Sequence, residues 1–204
     1  MLIGGGLRLA KTSVGPMDNN AYLLTHGDHA LLIDAAAEAD VLLRQLDRLT
    51  LVGVVTTHRH PDHLQALARV VAATGAPAYA GTPDAAAIAA ATGVESRGLW
   101  DGDALTLGSA RLGVIGLVGH TPGSITLAHT PDDAPARLFT GDSLFPGGIG
   151  KTRSEADFDS LLGDVTGKLF DRFGDDTVVH PGHGADTTLG AERPHLDEWR
   201  ARRW

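Results

Sequence analysis

The chain has 204 residues, 43% hydrophobic and 21% charged, with a formal net charge of −8 and no cysteine. This balance fits a chain with a buried core and excludes a largely disordered one, and no apolar run approaches the roughly 18 residues needed to span a bilayer. The acidic surplus repels phosphate backbones, so neither a nucleic acid nor a membrane is expected as partner; without cysteine there is no disulfide framework, and any metal must be held by nitrogen and oxygen.

The opening stretch MLIGGGLRLA lacks a basic segment ahead of a long apolar one, so no secretory leader is read and the expected compartment is cytoplasmic. LRLAKTSV (7–14) and NAYLLTH (20–26) alternate as strands do, and ALLIDA (30–35) is a short buried run, with turn formers in GPMDNN and HGDH between them. AEADVLLRQLDRL (37–49) has Val41, Leu42, Leu46 and Leu49 at helical spacing. LVGVVTTH (51–58) is a β-branched run of the kind buried on both faces of a sheet, and LQALARVVAATG (64–75) predicts a helix that stops at Gly75. TPDAAAIAAATG (82–93) reads as a plain alanine-rich helix.

The second half repeats the theme. DALTLG (103–108) and ARLGVIGLVGH (110–120) predict a hairpin turning at Gly108-Ser109, and SITLAHT (124–130) pairs with ARLFTGD (136–142) across PDDAP. SEADFDSLLGDVTGKLF (154–170) predicts a helix capped by Ser154, with Asp157 three residues on. TVVHPGHG (177–184) is a last short strand running into a turn, and ERPHLDEWRARRW (192–204) is expected to be helical. Strands alternating with helices, with antiparallel hairpins mixed in, imply sheets covered by helices on the outside. With no linker or repeat, residues 1–204 are expected to form one domain.

The chemistry concentrates in THRHPDH (57–63), which places His58, His60, Asp62 and His63 just after a strand. Crowded imidazoles repel one another when protonated, and a metal ion is the natural compensation. A loop leaving the strand end can splay His58 and His60 to one side while Asp62 and His63 open the next helix and point elsewhere, so the segment can serve two ions. Further ligands should also sit at strand ends, and His120 in GHTPGS, Asp142 in TGDSLF and His183 in PGHG do, each beside Gly or Pro. Five imidazoles and two carboxylates form a set suited to zinc, iron or manganese. Each residue alone has a plainer account: Asp62 as the cap of a helix starting at His63, Asp142 as a turn aspartate, His180 as a strand residue. Taken together they favour ligation.

These residues resemble the metallo-β-lactamase-fold hydrolases, whose five motifs occur here in order across about 7–190: Asp34 in LLIDA, the H-x-H-x-D-H box, His120, Asp142 and His183. The resemblance implies an α+β fold, a four-layer αβ/βα sandwich of two mixed sheets with helices outside. It implies two divalent ions, zinc first and iron or manganese as alternatives: His58, His60 and His120 on one, Asp62, His63 and His183 on the other, Asp142 bridging. Asp34 would stand behind the ligands and orient the box, and Asp62 and Asp142 would be the catalytic carboxylates. Two such ions about 3.5–4 Å apart hold a bridging water and lower its pKa from ~15.7 toward ~7, so that a bridging hydroxide attacks the substrate.

Within that superfamily, TGDSLFPGGIGKT and PGHGADTTLGAERPHL resemble glyoxalase II and its short bacterial relatives, which implies a thioesterase acting on a small-molecule thioester or ester. Lys151 matches a basic residue that contacts the substrate's carboxylate, and Arg153 is a second candidate contact. The chain departs from glyoxalase II in having Thr152-Arg153 where an aromatic residue helps bind glutathione, in Leu64-Gln65-Ala66 after the box, and in the expected lack of a C-terminal glutathione-binding helical domain. A persulfide dioxygenase with one iron on His58, His120 and Asp142, and a lactonase or other ester hydrolase, are the alternatives.

Overall fold

The computed structural model describes residues 1–203. The first of its two large sheets holds β1 (Arg8–Val14), β2 (Asn19–His26), β3 (His29–Ile33), β4 (Thr50–Thr56), β5 (Ala78–Gly81) and β6 (Ser96–Leu99), in that spatial order. β1, β2 and β3 are antiparallel, whereas β3 through β6 are parallel. Parallel neighbours need crossovers, which α1 (Ala39–Gln45), α2 (Leu67–Thr74) and α3 (Thr82–Thr92) provide.

In the second sheet, β7 (Ala104–Leu107), β8 (Ala110–Leu117), β9 (Ser124–His129) and β10 (Arg137–Gly141) form an antiparallel meander. It continues through β13 (Val178–Pro181), parallel to β10, to β14 (Thr187–Thr188) at the edge. Between β10 and β13 lie a small hairpin, β11 (Leu144–Phe145) with β12 (Gly148–Ile149), and α4 (Glu155–Val165). The chain closes with α5 (Leu189–Glu192) and α6 (Leu196–Arg202).

Alternation along the strands builds three apolar layers. On β2 and β3, Tyr22, Leu24, Leu31 and Ile33 join Leu112, Val114, Ile125, Leu127 and Phe139 of the second sheet. The intervening Ala21, Leu23, Ala30 and Leu32 pack with Leu42, Leu67, Val70 and Ile88 of α1, α2 and α3. Beyond the second sheet, Leu117, Leu138 and Val179 meet Phe158, Leu161 and Val165 of α4 and Trp199 of α6. Three cores between four layers give the expected αβ/βα sandwich. Among the described residues, no helix is long and apolar enough to cross a membrane.

The expected elements recur with shifted ends. The hairpin turn falls at Gly108-Ser109, where Gly108 takes φ +60° and Leu107 pairs with Ala110. Gly75 ends α2 in the left-handed region and donates its N–H to the Val71 carbonyl. Ser154 caps α4, its Oγ accepting from the Asp157 N–H at 3.1 Å. The helix expected over 37–49 is confined to Ala39–Gln45, between positive φ at Glu38 and Arg48. The helix expected from Leu64 begins at Leu67, because Pro61–His63 form a 3₁₀ turn first. The expected tail helix is broken into α5, a 3₁₀ turn at Arg193–His195 and α6; Pro194 has no N–H to continue a helix, and Trp204 lies outside the described residues. β5 and β6, short and with little alternation, were not expected from the sequence.

Candidate metal centre

The box leaves the C-terminal end of β4, and His120, Asp142 and His183 lie just beyond β8, β10 and β13. Clustering at the carboxyl ends of strands is where open α/β sheets place their sites. Asp34, just past β3, sits beside the end of β4 and accepts from the Thr57 N–H at 2.7 Å and the Thr57 hydroxyl at 2.8 Å. It does so at φ 57°, a left-handed conformation costing roughly 1–2 kcal/mol for a residue with a Cβ. The three hydrogen bonds that converge on its carboxylate hold it there. On the opposite side Gly182 makes room: a Cβ would lie 2.1 Å from Asp142 Oδ1 and 2.8 Å from His63 Cε1.

The structure brings all seven expected ligands together. Ligand atoms of His58, His60, His120 and Asp142 lie within 4.8 Å of one another, as do those of Asp62, His63 and His183. Asp142 touches both groups: Oδ2 is 3.6 Å from His120 Nε2 and 3.5 Å from His183 Nε2, and Oδ1 is 3.3 Å from His63 Nε2. Asp62 Oδ2 lies 3.2 Å from His183 Nε2.

The protons of these imidazoles can be traced from their fixed partners. His63 Nδ1 donates to Asp34 Oδ2 at 2.9 Å, His120 Nδ1 to the Lys151 carbonyl at 2.7 Å and His183 Nδ1 to the Met17 carbonyl at 2.9 Å. The Thr57 hydroxyl gives its proton to Asp34, so it accepts from His58 Nδ1 at 3.1 Å. Four Nε2 atoms therefore turn toward Asp142. His120 Nε2 and Asp142 Oδ1 are buried without a hydrogen-bond partner among the described residues. An orphaned buried acceptor costs roughly 1–3 kcal/mol. Cations placed among these lone pairs would satisfy them, so the donor set fits divalent metal ions held by nitrogen and oxygen.

The electrostatics agree. Burial, reinforced by neighbouring His63, holds His58 well below the ordinary histidine value, and burial also lowers His60 and His120, which favours neutral imidazoles. Burial opposes charge on His63 too, yet Asp34 and Asp142 outweigh it and push that imidazole up to about 10. His183 is raised chiefly by the Asp142 carboxylate, whose Oδ2 lies 3.5 Å from its Nε2. Burial resists ionisation of Asp142, but His183, His63 and His58 hold its carboxyl well below the usual range. Positive charge is favoured on the Asp34–Asp142 side, whether a proton or a metal supplies it.

Other candidates fall around this cluster. Lys151 lends it a backbone carbonyl, while its side chain is exposed without an ion pair among the described residues. Arg153 is also exposed and lines a groove beside His120. His180 stays out of the cluster, between Asp186 and Arg137. Asp62 lies inside the 3₁₀ turn and makes no capping hydrogen bond; instead it accepts from Asn19 Nδ2 at 2.9 Å.

Two supports escape a reading of the sequence. Buried Asn19, in what reads as a turn, holds Asp62 in place. Asp84, in the first turn of α3, is 0% exposed and accepts from the Arg59 and Gly123 N–H groups and the Thr121 hydroxyl. It ties the box to the His120 loop. The available signal was a single acid within an alanine-rich helix, which also reads as an ordinary first-turn acid.

Comparison with known proteins places this geometry. An uncharacterized protein of Mycobacterium tuberculosis is 33% identical over 202 residues, covering 85% of this chain and 89% of its own. The hydroxyacylglutathione hydrolase GloC of Haemophilus influenzae is 29% identical over 184 residues, covering 81% and 84%. Among solved structures, TTHA1623 in a di-iron-bound form superposes with a TM-score of 0.71 at 32% identity, covering 90% of this chain and 96% of that one. The profile of the Metallo-beta-lactamase superfamily matches residues 14–183, a span that ends on His183 and encloses every other residue of the cluster, and the chain belongs to that superfamily.

Proposed function

We propose that the chain is a binuclear metallo-hydrolase acting on an acyl thioester. The carrying observation is the convergence of four Nε2 atoms on Asp142, with His120 Nε2 and Asp142 Oδ1 buried and unpartnered. His58, His60 and His120 would hold one ion, Asp62, His63 and His183 the other, with Asp142 between them; zinc suits the set, and iron or manganese fits the same donors. When bound, such ions polarise the substrate carbonyl and bring the pKa of bound water toward ~7.

The chain's own groups do the rest. Asp34 and the Lys151 and Met17 carbonyls fix the tautomers that present Nε2 inward, a role whose loss costs about 10–100-fold in metal affinity or activity. Asp62, steadied by Asn19 at the more open edge of the cluster, is placed to take the proton of the attacking water and return it to the leaving thiolate. Lys151 is a candidate for holding an anionic group of the substrate. The GloC relative, a hydroxyacylglutathione hydrolase, supports the thioester, and the di-iron form of TTHA1623 supports two ions.

Metal analysis of freshly purified protein, with assays on S-lactoylglutathione and on a glutathione persulfide, tests the reading. Two equivalents of metal with thioester cleavage are expected. A single iron, with oxygen consumed on the persulfide and the thioester left intact, replaces it with the dioxygenase.

A further inference from the structure

Asp34, Asp84 and Glu192 are the buried acids among the described residues. The first two brace the box. Glu192, 5% exposed at the end of α5, pairs with no cation among the described residues. A buried carboxylate without a cation is costly unless hydrogen bonds replace its water. Glu192 receives two: Oε2 accepts the Gly147 N–H at 2.8 Å, and Oε1 accepts the Thr187 hydroxyl at 2.6 Å.

Gly147 lies at the tip of the β11–β12 hairpin, where Phe145 pairs with Gly148 and Pro146-Gly147 form the turn. Both feet of this hairpin stand in the metal centre. Asp142 precedes β11, and Lys151, whose carbonyl accepts from His120 Nδ1, follows β12. The feet are close together: the Gly150 N–H donates to the Ser143 carbonyl at 3.3 Å, and a Cβ on Gly150 would lie 1.7 Å from the Asp142 carbonyl oxygen and 3.0 Å from His120 Nδ1. So small a hairpin has little stability of its own, and its tilt is set by what holds the tip. Arg202 of α6 holds the other polar group there, donating to the Gly147 carbonyl at 3.3 Å. Thr187, the second donor to Glu192, pairs with Val179 of β13, the strand that runs into His183. One carboxylate thus links the segments that deliver His120, Asp142 and His183.

We infer that Glu192 is a positioning residue for the metal centre, acting through the β11–β12 hairpin to fix Asp142 against the Lys151 carbonyl, with Arg202 as its weaker partner. The inference rests on the metal binding of the proposed function and not on its substrate. A charged acceptor suits the task, because a hydrogen bond from a backbone N–H to a carboxylate is about twice as strong as a neutral one.

The test measures zinc affinity of the full-length protein by chelator competition and records the visible bands of the cobalt(II)-substituted form, which report ligand geometry. Glu192→Ala should weaken zinc binding by about tenfold, the lower end for losing a group that orients a metal ligand, and shift the cobalt bands. Glu192→Gln should recover most of both, since its amide oxygen can accept the Gly147 N–H while the Thr187 hydroxyl turns to accept from the amide nitrogen. Arg202→Ala removes an exposed side chain and should weaken zinc by about threefold; it decides the matter alone if Glu192→Ala does not fold. Arg193→Gln is the control, because Arg193 ties the same segment to Asp175 and to the Phe170 and Phe173 carbonyls, away from the hairpin, and its zinc affinity should match the wild type. Unchanged affinity and bands in the alanine variants overturn the inference and leave the hydrolase standing, and an equal loss in Arg193→Gln overturns it as well. Zinc binding without thioester cleavage in the wild type removes the hydrolase alone, because affinity and bands still report the positioning.

Discussion

The two sheets contribute to the cluster in opposite ways. The first supplies His58, His60, Asp62 and His63 on one loop, braced by Asp34 from the neighbouring strand of the same sheet. The second supplies His120, Asp142 and His183 one at a time, from three strands, two of whose imidazoles are steadied by backbone carbonyls. Half of the centre is therefore nearly local, and half exists only once the sheets have docked. Joining them are Asp84, two main-chain hydrogen bonds, from the Ile125 N–H to the Thr57 carbonyl at 2.9 Å and from the Asn20 N–H to the Gly182 carbonyl at 2.7 Å, and the Tyr22 hydroxyl, which donates to the Pro181 carbonyl at 2.6 Å. The lesson is that the box can be read from a short motif, but its usefulness depends on long-range docking.

The largest expected effect falls on Asp142, the residue common to both groups. Asp142→Ala should lower thioester turnover by about 10²–10³-fold, the scale for losing a group that organises charge at a reaction centre, together with loss of bound metal. Wild-type turnover and full metal content in that variant would remove it from the bridging position. A smaller pair of effects distinguishes the two braces. Asp34→Ala should weaken metal affinity by about 10–100-fold, read by chelator competition. Asp84→Ala should act mainly on stability: orphaning buried donors costs roughly 2 kcal/mol, or a fall in Tm of about 4–8 °C for a chain of this size. If both variants lost metal affinity equally, the contrast between a brace within one sheet and a tie between two would disappear.

The smallest effect concerns Asp186, beyond the cluster. Burial resists its ionisation, but His180 and Lys11 outweigh this and set its carboxyl below the ordinary 3.8. A carboxyl lowered on folding stabilises the protein above its unfolded value, and that contribution is lost as pH falls through the folded value. Thermal melts between about pH 5 and pH 2 should therefore show a shallower acid decline in Asp186→Asn than in the wild type. Because Asp186 and Lys11 are partly exposed, the difference stays within about 1 kcal/mol, and parallel curves would show that these contacts add nothing.

How legible this was depended on distance along the chain. The box, its strand and the Gly- or Pro-flanked strand ends were readable because neighbours in sequence reported on each other. Asn19, Arg59 and Asp84 were not, since each is an unremarkable turn, loop or first-turn residue until a partner tens of residues away arrives. Asp84 meets Thr121 across 37 positions, and nothing local encodes that. Helix ends were misjudged for a related reason: hydrophobic spacing marks a face, while positive φ at Glu38 and Arg48 marks the ends of α1.

By itself the sequence determined the layered α+β plan and singled out seven candidate ligands, because periodicity and donor chemistry are properties of the chain. Only the tertiary structure decided which nitrogen of His58, His63, His120 and His183 faces inward and which carboxylate reaches both groups. Those depend on hydrogen bonds and desolvation between segments that meet only when the two sheets pack together.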